Sequence, residues 1–135
     1  MLTGHIRLQC PILVVDDQRD VRFLSRRFLS DAGAKVSEAE DGEQAVAMMS
    51  KSMEDGCPFD LVVLDMQMPK LDGYETAVQL RALGYTRPII ALTADAMQGD
   101  MSRCIASGCN NYLSKPIDKS ALLNMIEDYL NSTSA

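Results

Sequence analysis

The chain has 135 residues, which at roughly 100–200 residues per domain makes one domain, large enough to bury a core without a metal or disulfide staple. Thirteen basic residues against nineteen acidic leave a net charge of -6, which disfavours direct binding to nucleic acid or to an anionic membrane surface. No run of about 18 apolar residues is present to span a bilayer, and the hydrophobic share of 47% is that of a globular chain, so a cytoplasmic location is expected. Cys10, Cys57, Cys104 and Cys109 form no CxxC pair and His5 is the single histidine, which argues against zinc and for reduced thiols.

Residues 1–11 read as a leader or the remnant of a linker, without the apolar block of a signal peptide. Ile12–Val15 is a short continuous apolar run, as in a strand covered on both faces. Val21, Leu24 and Phe28 then recur at helical steps up to Gly33. Lys35–Ala39 is a weaker second strand, and Asp41 with Gln44 opens a helix whose inner face is Val46, Met49 and Met53. Asp55–Pro58 breaks the chain before the clearest strand, Leu61–Leu64. A loop from Pro69 to Gly73 leads into a helix through Tyr74, Ala77 and Val78 that stops near Gly84.

Ile89–Leu92 is a fourth strand, followed by a helix with Met97, Met101, Cys104 and Ile105 on one side and Gly108 at its end. Asn111–Leu113 is a minimal fifth strand, stopped by Pro116, and Asp118 caps a last helix with Leu122, Ile126 and Tyr129 inward. Residues 131–135 read as a disordered polar tail, and the methionines at 48, 49, 53, 97, 101 and 125 as helix positions that fill the core. Five βα units in alternation demand a parallel sheet with right-handed crossovers and helices on both faces, a doubly wound α/β domain over residues 12–130.

In such sheets ligands bind beyond the carboxyl ends of the strands. Asp16 and Asp17 follow the first strand, Asp65 the third, Thr93 the fourth and Lys115 the fifth, so all five are expected in one crevice. Three carboxylates and one lysine leave a charge of -2, which one divalent cation would balance. Oxygen ligands without histidine or cysteine select a hard ion, and a small open carboxylate cluster suits Mg2+. Each residue also has an ordinary reading: Asp16 and Asp17 as helix caps, Asp65 as a turn residue, Thr93 as a strand-end hydroxyl, Lys115 as a loop lysine, Tyr112 as a half-buried strand aromatic. Their convergence on neighbouring strand ends favours the site.

The stretches ILVVDD at 12–17, LVVLDMQMP at 61–69, LDG at 71–73, ALTA at 91–94 and YLSKP at 112–116 resemble the receiver domain of two-component response regulators, over about Ile12 to Leu130. The resemblance implies the flavodoxin-like strand order 2-1-3-4-5. It implies Asp65 as phospho-acceptor, with Mg2+ held by Asp17, Asp65 and the backbone carbonyl of Gln67, and by Asp16 through a water. Lys115 would pair with the phosphoryl oxygens, Thr93 would hydrogen-bond them, Tyr112 would change rotamer on activation, and Lys115–Pro116 would be cis. Gln67 and Asp95 would tune the lifetime of the phosphoryl group. The partner would be a sensor histidine kinase or a histidine phosphotransfer protein. The domain would catalyse its own phosphorylation and dephosphorylation without being a turnover enzyme.

An aspartyl-phosphate hydrolase is the alternative, weakened because Gln67 stands where such enzymes carry a second carboxylate. A flavin module is weaker still, since Asp16 and Asp17 would repel phosphate. The ALTADAM and SGCNNYLSKPID stretches look more like receivers attached to hybrid sensor histidine kinases, so the parent chain is expected to be a kinase or the output to lie with a partner. The fourth strand, the helix over about 99–107 and the fifth strand with the start of the last helix are the expected output face, and the fourth helix with the fifth strand is the expected face of a weak homodimer.

Overall fold

The computed structural model describes residues 8, 10–68, 71–94 and 98–133. Five strands, β1 (Pro11–Val15), β2 (Lys35–Ala39), β3 (Leu61–Asp65), β4 (Ile89–Thr93) and β5 (Asn111–Ser114), alternate with five helices. The helices are α1 (Arg19–Asp31), α2 (Gly42–Glu54), α3 (Gly73–Ala82), α4 (Gln98–Ser107) and α5 (Lys119–Thr133). All strand pairs are parallel, in the order β2-β1-β3-β4-β5.

The continuous apolar runs of β1, β3 and β4 are buried because successive side chains point into two different cores. Leu13, Val15, Val62, Leu64, Ile89 and Ala91 pack against Ala45 and Met49 of α2, Ala77 and Leu80 of α3 and Cys104 of α4. Ile12, Val14, Leu61, Val63, Ile90 and Leu92 pack against Leu29 of α1 and Leu122, Leu123 and Ile126 of α5. The edge strands β2 and β5 are only partly covered.

Local chemistry starts the helices where the sequence indicates. Asp41 accepts the Gln44 amide hydrogen at 2.8 Å while the Gln44 side chain accepts from the Glu40 N–H, and Asp118 caps the Ala121 N–H. Asp72, in the loop before Gly73, is the N-cap of α3 and accepts from the Glu75 N–H at 2.9 Å.

Five features depart from the sequence reading. The inner face of α1 is Ser25 and Leu29, with Val21 and Phe28 half-buried and Leu24 exposed. Arg22 sets that phase: its guanidinium turns toward the sheet, bonding Glu38 of β2 at 3.0 Å and the Asp16 carbonyl at 2.8 Å. In α4 Cys104 is buried, but Met101 and Ile105 are exposed, because Arg103 faces α3 and stacks 3.9 Å from the centre of the Tyr74 ring; Met97 lies outside the described residues. Val78 is 52% exposed, since α3 presents Thr76, Ala77 and Leu80 inward. With no glycine or proline to stop it, α5 runs on to Thr133, three residues past Leu130. At the other end Leu8 and Cys10 are buried, the Leu8 N–H donating to the Ala32 carbonyl, so folded packing starts before Ile12.

Arg81 at the end of α3 is a tie that periodicity does not announce. Its guanidinium donates to the carbonyls of Gly108 (2.8 and 3.0 Å), Tyr85 (2.8 Å) and Arg87 (2.7 Å) and to Asn110 Oδ1 (2.9 Å), which also accepts the Ile89 N–H. One side chain thus joins α3, the entry of β4 and the α4–β5 turn. Arg81→Met should lower unfolding stability by about 2 kcal/mol in urea titrations, by orphaning those carbonyls. Arg81→Lys should recover less than half, because an ammonium lacks the planar fork. Full stability of Arg81→Met would contradict this role.

Candidate functional site

Strand register assembles the site. Val15 pairs with Leu64, so the next residues, Asp16 and Asp65, emerge side by side at the carboxyl edge of the sheet. Asp65 pairs with Leu92 and Thr93 with Ser114, which brings Thr93 and Lys115 to the other flank. The Lys115 N–H bonds the Thr93 carbonyl at 2.8 Å, and the Lys115–Pro116 peptide is cis, as the resemblance implies.

Asp16 and Asp65 are almost fully buried while Asp17 is exposed, and one oxygen from each of the three carboxylates lies within 4.8 Å of the others. The Lys115 ammonium reaches between them, 3.1 Å from Asp65 Oδ1 and 3.5 Å from Asp16 Oδ2. Backbone amides add to this: Gln67 N–H donates to the same Asp65 Oδ1 at 3.1 Å and Gln18 N–H to Asp16 Oδ1 at 2.9 Å. Asp16 therefore bonds the approach to α1 with one oxygen and faces the cluster with the other; it does not cap the helix, whose N-cap is Gln18 with no side-chain cap. Asp65 Oδ2 and Asp16 Oδ2 are buried and have no hydrogen-bond partner. Such orphans are rare and call for a ligand. An all-oxygen donor set with two unsatisfied buried carboxylate oxygens fits a small hard divalent ion.

Thr93 is buried at the end of β4, and Tyr112 is half-buried on β5 against the core shared by α2, α3 and α4. Gln67 is exposed just beyond Asp65. Asp95 lies outside the described residues.

Two glycines permit close packing around the site that the sequence does not show. Gly73 opens α3 against the end of β3, its N–H bonding the Met66 carbonyl at 3.2 Å, and a Cβ there would collide with the Asp65 carbonyl oxygen and with Met66 Cα. Gly42 opens α2 directly against the Thr76 hydroxyl and the Leu71 carbonyl of the neighbouring helix start. The sequence shows only that both glycines stand at helix starts. The lack of space is a tertiary fact.

Burial, and secondly the neighbouring Asp16 charge, push the Asp65 carboxyl up to about 6, against the partial relief of Gln67 N–H and Lys115. The native state then holds a proton that the unfolded chain has released, so this group makes stability fall as pH rises from about 4 through about 6. In chelator, Asp65→Asn should remove that fall and exceed the wild type at pH 7.5 by on the order of 2 kcal/mol in urea unfolding. Equal stability at both pH values would contradict the burial argument.

Comparison with known proteins agrees with this arrangement. The family description "Response regulator receiver domain" matches residues 12–127. The chain is 37% identical over 113 residues to the two-component response regulator ORR41 of Oryza sativa subsp. japonica, covering 82% of this chain and 87% of that protein. It is 36% identical over 118 residues to the sensor histidine kinase RcsC of Salmonella typhi, covering 87% of this chain but 12% of the kinase. Among solved structures, the receiver domain of sensor histidine kinase PA1611 from Pseudomonas aeruginosa PAO1, with magnesium coordinated in its active-site cleft, superposes with a TM-score of 0.81 at 32% identity, covering 92% of this chain and 99% of that domain. Among the described residues no helix is long and apolar enough to cross a membrane. A family match over most of the chain, on a sheet whose strand ends gather Asp16, Asp17, Asp65, Thr93 and Lys115, makes this protein a receiver domain of two-component phosphorelay signalling.

Proposed function

We propose that Asp65 accepts the phosphoryl group, from a phosphohistidine of a sensor histidine kinase or histidine phosphotransfer protein. The observation that carries this reading is the state of its carboxylate, clustered with those of Asp16 and Asp17: one oxygen held by Lys115 and the Gln67 amide, the other buried without a hydrogen-bond partner. Oδ2, the oxygen that Lys115 and the Gln67 amide leave unheld, attacks phosphorus in line, the P–N bond to imidazole breaks, and the imidazole nitrogen keeps the electron pair. Such a transfer is catalysed by positioning and charge neutralisation, and the packing around Gly73 and the Lys115 contact contribute both.

Asp16, Asp17, Asp65 and the backbone carbonyl of Gln67 are the groups that would hold Mg2+, which when bound supplies positive charge to the phosphoryl oxygens. Lys115 pairs with those oxygens from the opposite side. The acyl phosphate carries more negative charge than the carboxylate it replaces and adds acceptor oxygens, toward which the Thr93 hydroxyl moves. Tyr112 then turns into the space vacated between β4 and β5, changing the α4–β5 face. That face is the output surface and the site of a weak homodimer. The exposed Phe23 and Leu24 of α1, flanked by Arg19, Arg26 and Arg27, offer a phosphodonor protein an apolar and basic landing beside the crevice. The domain acts in the cytoplasm without contacting nucleic acid or membrane.

Incubation with Mg2+ and acetyl phosphate should add one phosphoryl group by intact mass. Asp65→Asn or chelation should abolish it, whereas equal labelling of the variant would overturn the assignment. Replacing Gln67 and Asp95 together by alanine should leave the labelling intact but change its decay rate severalfold, because in sequence they stand two residues beyond Asp65 and Thr93. An unchanged rate would exclude them from lifetime control.

A further inference from the structure

The α4–β5 junction contains two thiols that phosphoryl transfer does not use. Gly108, at φ 118°, follows the helix, its N–H bonding the Ile105 carbonyl at 3.1 Å while the Cys109 N–H bonds the Cys104 carbonyl at 3.0 Å. These are the crossed bonds of a Schellman turn, in which the side chains at the two ends of the longer bond meet. Here those residues are Cys104 and Cys109. Both are buried in the same core, and neither is in a disulfide.

The 3.0 Å bond, with standard backbone bond lengths, caps their Cα–Cα separation at about 7 Å, and a disulfide needs 4.4 to 6.8 Å. We propose that Cys104 and Cys109 form a redox-modifiable dithiol, closed into an intramolecular disulfide by exchange with a small-molecule or protein disulfide. One thiolate attacks a sulfur of the incoming disulfide and expels a thiolate from it. The second cysteine attacks the mixed disulfide, forming the Cys104–Cys109 bond and expelling the other half. Two protons leave the protein, and the incoming disulfide is reduced to two thiols.

The surroundings gate that reaction. Burial, and then Cys104 beside it, push the Cys109 thiol up to about 12, so the thiolate forms when the turn opens. Arg81 covers the turn: its aliphatic stem fills the space where a Gly108 Cβ would stand, and its guanidinium, bonded to the Gly108 carbonyl, favours a Cys109 thiolate. Once closed, the bridge ties the last turn of α4 to the entry of β5, the strand that carries Tyr112. Its influence on output rests on the phosphoryl-transfer reading; its formation does not.

The test treats the full chain with oxidised glutathione at pH 8, without phosphodonor, so that a failure of the Asp65 reading cannot affect it. The wild type should lose the mass of two hydrogens within the Cys104–Lys119 tryptic peptide. Cys109→Ser should yield at most a glutathione adduct. Amides of residues 105–110 should exchange with deuterium on the order of tenfold more slowly in the oxidised chain, as expected of a cross-link closing a short loop. A persistent glutathione adduct on the wild type, a bridge to Cys10 or Cys57, or four unchanged thiols after prolonged incubation would overturn the proposal.

Discussion

Two carboxylates buried side by side, with one ammonium between them, are the constraint on which the rest of the structure depends. Asp16 and Asp65 sit where water cannot screen them, and Lys115 neutralises only one of the two charges. Burial, and secondly the remaining repulsion from Asp16, raise the proton affinity of Asp65, and two buried carboxylate oxygens are left without hydrogen bonds. A protein selected for stability alone would fill such a place with apolar side chains. Retaining it stores electrostatic free energy that a divalent cation and a phosphoryl group can release, which makes the site responsive to its ligands.

The fold exists around this cluster as a rigid frame. Parallel register fixes which residues leave the sheet together, and two cores clamp the strands on both faces, so the carboxylates cannot separate to relieve their repulsion. Contacts behind the site do the same for the helices. Gly73 lets α3 press on the Asp65 backbone, and Gly42 seats α2 against α3. Arg22 ties the end of β1 to β2, and Arg81 anchors α3 to the opposite end of β4 and to the α4–β5 turn. The acceptor edge is held firmly, while the switch residues lie on the flank formed by β4 and the edge strand β5.

What the sequence makes legible follows from the range of the interactions involved. The apolar runs of β1, β3 and β4, the Asp41–Gln44 cap and the strand-end polar residues are local or periodic signals, and the doubly wound fold and five-residue cluster follow from them, whereas the strand order is what the resemblance to receiver domains implies. Helix phase was less legible: α1 carries apolar residues on more than one face, and the Arg22 bonds to Glu38 and Asp16 select which face turns inward. Met101 and Ile105 read as core because they share one side of α4 with Cys104, but Arg103 stacking on Tyr74 rolls that side partly into solvent. Gly73, Gly42 and Arg81 act through partners distant in sequence or through missing space, neither of which leaves a one-dimensional trace.

The central claim is that the Asp16 and Asp65 charges are held in excess for a divalent cation. The most direct measurement is thermal unfolding at pH 7.5 across a Mg2+ titration, for the wild type and for Asp16→Asn combined with Asp65→Asn. Binding to the native state alone should raise the wild-type midpoint steadily with the logarithm of Mg2+ concentration once the site is saturated. The doubly neutralised chain should start from a higher midpoint in chelator and show little further rise. Parallel Mg2+ responses in the two proteins, or a lower starting midpoint for the neutralised chain, would contradict the account.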